Sequence, residues 1–224
     1  MIAKLLLFYL LSSITGSPIL AILLLLGGVF LLDRGTVGLI PDVVPLIKRG
    51  SEKRRLRRDL QVNPHNADAR FELGRLLLEQ GRPDDALVQM ELALPKLADV
   101  GEAQLVHGLT LLRTPRWREA QAPLERSLTL EPECRSGEAH LRLGEFWSLA
   151  QDHERAREAF QTYLSEHEFS VEGHVLAARE RIGAGDVAAG REHARLALAA
   201  YKNAPRFRRR FDRAWAWRAR ALVR

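Results

Sequence analysis

Seven histidines and one cysteine are the side chains of this 224-residue chain best suited to metal binding or nucleophilic attack. His167-Glu168 begins like the H-E-x-x-H helix of zinc hydrolases, but Val171 stands where the second histidine is required. His140 and His174 lie 34 residues apart and read as packing groups at equivalent places, and His107 as a packed neutral imidazole beside Gly108. Cys134 follows Pro132-Glu133 in a turn, and no neighbouring base can be assigned to turn its thiol into a nucleophile. A single cysteine also excludes an internal disulfide and every multi-cysteine metal site. Gly183-Ala184-Gly185 is too short for a phosphate-cradling loop and reads as a turn. The expectation is a non-enzyme with no catalytic residue, no metal and no cofactor.

Charge is distributed in blocks. Against a net charge of +6, residues 1–32 carry +1, residues 33–63 carry +4, residues 64–202 carry −6 and residues 203–224 carry +7. An acidic middle between basic ends is unlike a uniformly nucleic-acid-binding chain. With 46% hydrophobic and 28% charged residues the composition is that of a folded protein.

The elements around these side chains start with a membrane-like segment. From Leu5 to Leu32 no residue is charged, and a helix of that length would reach roughly 42 Å against a hydrocarbon core of about 30 Å. Gly16-Ser17-Pro18 interrupts it, because proline lacks a backbone donor and disfavours helix at the preceding residue. Three readings stand: a kinked transmembrane helix, a re-entrant hairpin turning at Gly16-Pro18, and a cleaved signal peptide, the last opposed by the apolar run that resumes at Ile19. Lys48, Arg49, Lys53, Arg54, Arg55, Arg57 and Arg58 follow the segment and predict a cytoplasmic location for the remainder. The same cluster is a candidate anionic-lipid contact. Residues 1–34 are thus a membrane segment of the cytoplasmic (inner) membrane, 35–47 a linker with Pro41 and Pro45, and 35–63 as a whole a basic juxtamembrane stretch ending in a first helix.

Beyond residue 64 the chain repeats with a 34-residue period, in units 67–100, 101–134, 137–170 and 171–204. Position 8 reads Gly74, Gly108, Gly144, Ala178, and position 20 reads Ala86, Ala120, Ala156, Gly190. Small residues at both places let two helices of a hairpin approach closely, while Leu73, Leu143, Leu124 and Phe160 fill the space beside them. This pattern closely resembles the tetratricopeptide repeat (TPR) family over about 67–204, within a repeat region set at 64–204. Position 4 departs from it, with Arg70, Gln104, His140 and His174 in place of a bulky aromatic. The resemblance implies an all-α helical-hairpin solenoid whose first (A) helices line a concave, partner-binding face, in a bacterial-type membrane-anchored protein.

In that family positions 2, 5, 9 and 12 face the groove, and position 9 is mixed here, with Arg75, Leu109, Glu145 and Arg179. Position 2 reads Asp68, Glu102, Glu138, Glu172 and position 5 reads Phe71, Leu105, Leu141, Val175, so an acidic stripe beside an apolar one is expected to hold a basic, partly hydrophobic peptide. First-turn carboxylates also stabilise helices by about 0.3–1 kcal/mol whatever they bind. In residues 205–224, Phe207, Phe211 and Trp215 recur every four residues and are expected, with Leu222, to cap the array, leaving arginines for lipid or RNA. The leading reading is a membrane-anchored cytoplasmic scaffold whose partner is a protein or peptide. Membrane and anionic lipid are further contacts, and neither nucleic acid nor a small-molecule substrate is the expected ligand. The rival readings are a nucleic-acid- or lipid-tethering protein using its basic ends, and an accessory subunit of a membrane enzyme complex, inert alone.

Overall fold

The computed structural model describes residues 2–35 and 43–223, which form twelve α-helices and one 3₁₀ turn, with no strand among the described residues. They divide into two units, 1–48 and 49–224. In the first, α1 (Ile2–Thr15) and α2 (Pro18–Gly35) are separate helices packed on each other. Gly16 takes φ +65°, and the Thr15 hydroxyl bonds the carbonyls of Leu11 (2.7 Å) and Ser17 (3.1 Å), closing α1. Ala21 has no exposed surface, so a small residue marks the α1–α2 approach. Of the three readings of 5–32, the single kinked transmembrane helix is corrected: the chain breaks at Gly16 into two shorter helices, and no helix among the described residues is long and apolar enough to cross a membrane. Tyr9, Ile14, Ile19 and Leu23 remain exposed on them.

The linker expectation also changes. Of residues 35–47, those at 36–42, Pro41 included, lie outside the described residues, while α3 (Val43–Val62) already starts at Val43. Pro45 falls in its first turn, where the missing N–H has no helical partner to lose. Leu56 and Leu60 of α3 pack on Leu73, Leu76 and Leu77, so this helix covers the open end of the repeat array.

The array alternates A helices α4 (Ala67–Glu79), α6 (Gly101–Leu112), α8 (Glu138–Leu149) and α10 (Val171–Gly183) with B helices α5 (Pro83–Leu97), α7 (Gln121–Leu130), α9 (His153–Glu166) and α11 (Val187–Asn203). Side chains of Asn66, Asp152, Ser170 and Asp186 accept from backbone N–H groups at the starts of α4, α9, α10 and α11, satisfying donors that helices leave orphaned. Position 15 turns the chain from A to B with positive φ at Gly81 (71°), Gln151 (62°) and Gly185 (89°). In the second unit this position is Pro115, whose ring fixes φ near −65°. That unit turns instead through the 3₁₀ segment Trp117–Ala120.

Each A helix packs chiefly on its own B helix and then on neighbours. Successive A helices touch one another, whereas among the described residues no contact joins successive B helices, which puts the A helices on the inner side of the curve. The last helix, α12 (Arg206–Val223), rests on α10 and α11 as a further A helix would.

Hairpin closeness rests on positions 8 and 20. A Cβ on Gly190 would meet the Ala178 carbonyl at 2.9 Å and Ile182 at 2.5 Å. Unit four thus exchanges the glycine and alanine of the other units, and its glycine keeps the B helix clear of the Ala178 carbonyl and the Ile182 side chain. Gly190→Ala is expected to destabilise the protein by about 1–3 kcal/mol through overpacking, beyond the ~1 kcal/mol that alanine's helix propensity returns. In an Ile182→Ala background, which lacks the side-chain atoms that this Cβ would strike, Gly190→Ala should cost less in denaturant unfolding; an equal cost would place the strain at the Ala178 carbonyl.

Candidate functional site: the inner face of the array

Position 5 does not face a ligand. Leu105, Leu141 and Val175 are 0%, 2% and 0% exposed and sit in three apolar clusters between helices. Only Phe71, in the first unit, keeps partial exposure. The expected apolar stripe is thereby corrected: A helices that touch consume this position in A–A and A–B packing.

The acidic stripe is present but largely engaged. Asp68 is exposed in the first turn of α4, and Glu102 is half-buried and near Arg75. Glu138 and Glu172 both bond Arg142, at 2.7 and 2.8 Å, and Glu145 is 3.3 Å from the same guanidinium. Arg135 and Arg113 complete the group by pairing with Glu138 (3.1 Å) and Glu145 (3.2 Å). Three arginines thus balance three carboxylates across α6, α8 and α10. Burial opposes the charge on Arg142, but Glu172, Glu138 and Glu145 outweigh it and hold the guanidinium ionised. A buried ion group of this kind adds little net stability, yet removing one member leaves uncompensated charge. The spacing Glu138–Arg142 (i, i+4) was a legible signal for it.

Position 4 holds the turns. The Arg70 Nε, Gln104 Nε2 and His174 Nε2 groups each donate, at 2.8 Å, to the carbonyl six residues earlier, on Pro64, Ala98 and Glu168. These polar side chains clasp the loop that enters their helix, the task that replaces aromatic packing. In unit three two extra residues put Arg135, Ser136 and Gly137 at positive φ, and His167 Nε2, not His140, takes the Ser136 carbonyl at 2.7 Å. Because a carbonyl only accepts, neutral His174 carries its proton on Nε2 and presents a bare Nδ1 to His193 Nδ1–H, 3.1 Å away.

Accessible space on the inner face lies lower on the A helices. A cleft of about 230 Å³ opens between α8 and α10, lined among others by Glu145, Leu149, His153, Arg179 and Glu180. Leu149 and Arg179 are exposed, whereas Glu180 is buried and meets His153 Nδ1 at 3.1 Å. Positions 9 and 13 of the unit thus supply the open surface. On the other side of Phe160 a second cleft of about 490 Å³ is bounded by Arg157, His174, Arg181 and His193.

The remaining candidates are placed as follows. Cys134 is half-buried, and burial, with Glu131 and Glu102 nearby, pushes its thiol up to about 11, so the thiolate is scarce at neutral pH. No group of three or more metal-ligating side chains occurs among the described residues. Arg54, Arg55, Arg57 and Arg58 are exposed on α3, but Lys53 donates to Gln80 Oε1 at 2.9 Å; the side chains of Lys48 and Arg49 lie outside the described residues.

Sequence patterns of the tetratricopeptide repeat match residues 53–109 and 105–170, together more than half of the chain. The chain belongs to the tetratricopeptide repeat family. No curated relative matches it in sequence. Among solved structures it is similar to TTC0263, a thermophilic TPR protein of Thermus thermophilus, with 16% identity, TM-score 0.62, and 81% of this chain and 93% of that one covered. It is likewise similar to MamA, with 18% identity, TM-score 0.59, and 73% and 96% covered. A third is YrrB, a TPR protein described as having an unusual peptide-binding site, with 14% identity, TM-score 0.58, and 72% and 82% covered. At such identities the likeness concerns the fold. TPR proteins of this kind are typically scaffolds without catalysis.

The histidines give the TPR array a pH dependence. Burial lowers the pKa of His107 and His174, and burial together with His174 and Arg181 lowers that of His193. Below the ordinary histidine pKa of 6.5 the unfolded chain therefore takes up protons that the folded chain refuses. Stability is full above that value and falls as the pH drops through it. The melting temperature should decrease between about pH 7 and about pH 5, and His174→Gln with His193→Gln should flatten the decrease. Glutamine already makes the same clasp at Gln104. An equally steep fall in the double variant would assign the effect to other groups.

Proposed function

We propose that this TPR protein is a membrane-anchored scaffold that holds a protein or peptide partner on the inner face of its array, with residues 49–224 in the cytoplasm. The cleft between α8 and α10 carries the binding part of this reading, because it combines an exposed apolar side chain, Leu149, with an exposed cation, Arg179, and carboxylates at Glu145 and Glu180. A peptide bearing an apolar side chain flanked by polar groups suits that lining. The peptide-binding site attributed to YrrB supports the same use of the fold. Catalysis has no part in this reading, for the scaffold acts by bringing groups together.

Anchoring is supported by exposed Tyr9, Ile14, Ile19 and Leu23 on α1 and α2, apolar surface that water disfavours. A helical hairpin embedded from one side fits two short arms better than a single crossing does. The exposed arginines of α3 follow it and support the cytoplasmic side.

Two experiments test these parts. Leu149→Arg combined with Arg179→Glu should reduce partner recovery at least tenfold in a mild-detergent pull-down, with an unchanged helical circular-dichroism spectrum, since both residues are exposed. Full recovery would move the binding surface elsewhere. In a Cys134→Ser background, Ser165→Cys should react with an impermeant maleimide only after the cells are permeabilised. Labelling of intact cells would reverse the orientation.

A further inference from the structure

Helix α12 was expected to bury Phe207, Phe211 and Trp215 together, and it does not. Trp215 packs on the clusters around Phe160, Val175 and Ala197, while Phe207 and Phe211 are 73% and 78% exposed. A step of four residues advances about 400° around a helix, so each member of the series drifts about 40° from the last. The docked face centres on Ala216 and Ala219, both with no exposed surface, because the alanines and valines of α10 and α11 accept only small side chains at close range. The two phenylalanines therefore turn away from the array.

The outward face they form has a composition of its own. Phe207, Phe211, Ala214 and Ala221 follow one another at helical spacing, with Trp217 at their edge, 65% exposed. Arg206 and Arg210 lie along one edge of that face, on the side of Trp217, exposed and without a partner among the described residues. The other arginines are placed less freely: Arg209 bonds the carbonyls of Lys202 and Ala204 that end α11, Arg208 lies 3.7 Å from Asp212, and Arg218 and Arg220 lie over Trp215 and Trp217. Residues 203–224 carry +7 while residues 64–202 carry −6, so this face is opposite in sign to the array it caps, and its unpaired arginines suit an anionic surface.

We propose that the outward face of α12 is an interfacial contact with anionic lipid, in which Phe207 and Phe211 enter the headgroup–acyl boundary and Arg206 and Arg210 meet phosphate. A convex helix flank with an aromatic centre and a cationic edge suits a flat, negatively charged, partly apolar surface. Single-stranded nucleic acid also stacks on aromatics but is held along a basic groove, which a convex flank does not provide. The α12 contact builds on the membrane reading of residues 2–35 and adds a second attachment, through α12.

The test uses the full chain carrying Cys134→Ser and Ala214→Cys, labelled at the new cysteine with an environment-sensitive fluorophore. It is mixed with phosphatidylcholine vesicles, or with the same vesicles containing phosphatidylglycerol. Flotation with phosphatidylcholine alone reports the anchor. A blue shift of the label that appears only with phosphatidylglycerol, and is lost in Phe207→Ser with Phe211→Ser, supports the α12 contact whether or not the anchor holds. These residues are exposed, so an unchanged melting curve confirms that the variant folds. Flotation with an unshifted label on both vesicles overturns the α12 contact and leaves the anchor standing; no flotation on either overturns both. A shift produced by oligouridylate but not by phosphatidylglycerol overturns the lipid contact in favour of nucleic acid.

Discussion

The distance between the two helices of each hairpin is the constraint on which the rest of the structure depends. It is set where position 8 of the A helix faces position 20 of the B helix, places where a small residue lets one helix approach the backbone and side chains of the other. Gly74, Gly108 and Gly144 face Ala86, Ala120 and Ala156, and unit four reverses the order with Ala178 and Gly190. At this distance Phe160 and Leu124 lie directly over the opposite backbone, which is why a Cβ on Gly144 or Gly108 would strike them at 2.5 and 2.6 Å. Closely paired hairpins can then stack through A–A contacts, so that the array curves.

Stacking at that closeness leaves less surface for ligands than the repeat pattern suggests. Position 5 disappears into the core, and position 2 is drawn into the ion group around Arg142. The open chemistry moves to positions 9 and 13, where helices diverge enough for Leu149 and Arg179 to meet solvent. Polar groups at position 4 serve the loops: Arg70, Gln104 and His174 satisfy carbonyls that would otherwise be left unpaired between units. Three different residue types can do this because each offers an N–H at the same reach.

Both ends of the array are closed by helices outside the four repeated units. Leu56 and Leu60 of α3 cover the first hairpin, and Ala216, Ala219 and Trp215 of α12 cover the last. Each of these helices has its arginines away from the core. The consequence for the proposed membrane reading is that basic residues bracket an acidic array without neutralising it, leaving both ends with charge for an external surface.

Several features follow from local residue type alone and are legible in the order of the amino acids. The 34-residue recurrence of small residues implies helical hairpins, since only that period brings two close-packing sites into register in each unit, and caps such as Ser170 and Asp186 stand at the helix starts. Pro18 likewise announces the break after α1. Tertiary structure decided what periodicity does not encode: which arc of an amphipathic helix turns inward. Leu105 and Phe211 are both apolar residues at helical spacing, yet one has no exposed surface and the other is 78% exposed. The difference lies in the neighbour each helix meets. Leu105 faces helices on two sides, whereas Phe211 lies about 80° around α12 from Ala219, beyond the edge of the surface on which that helix rests.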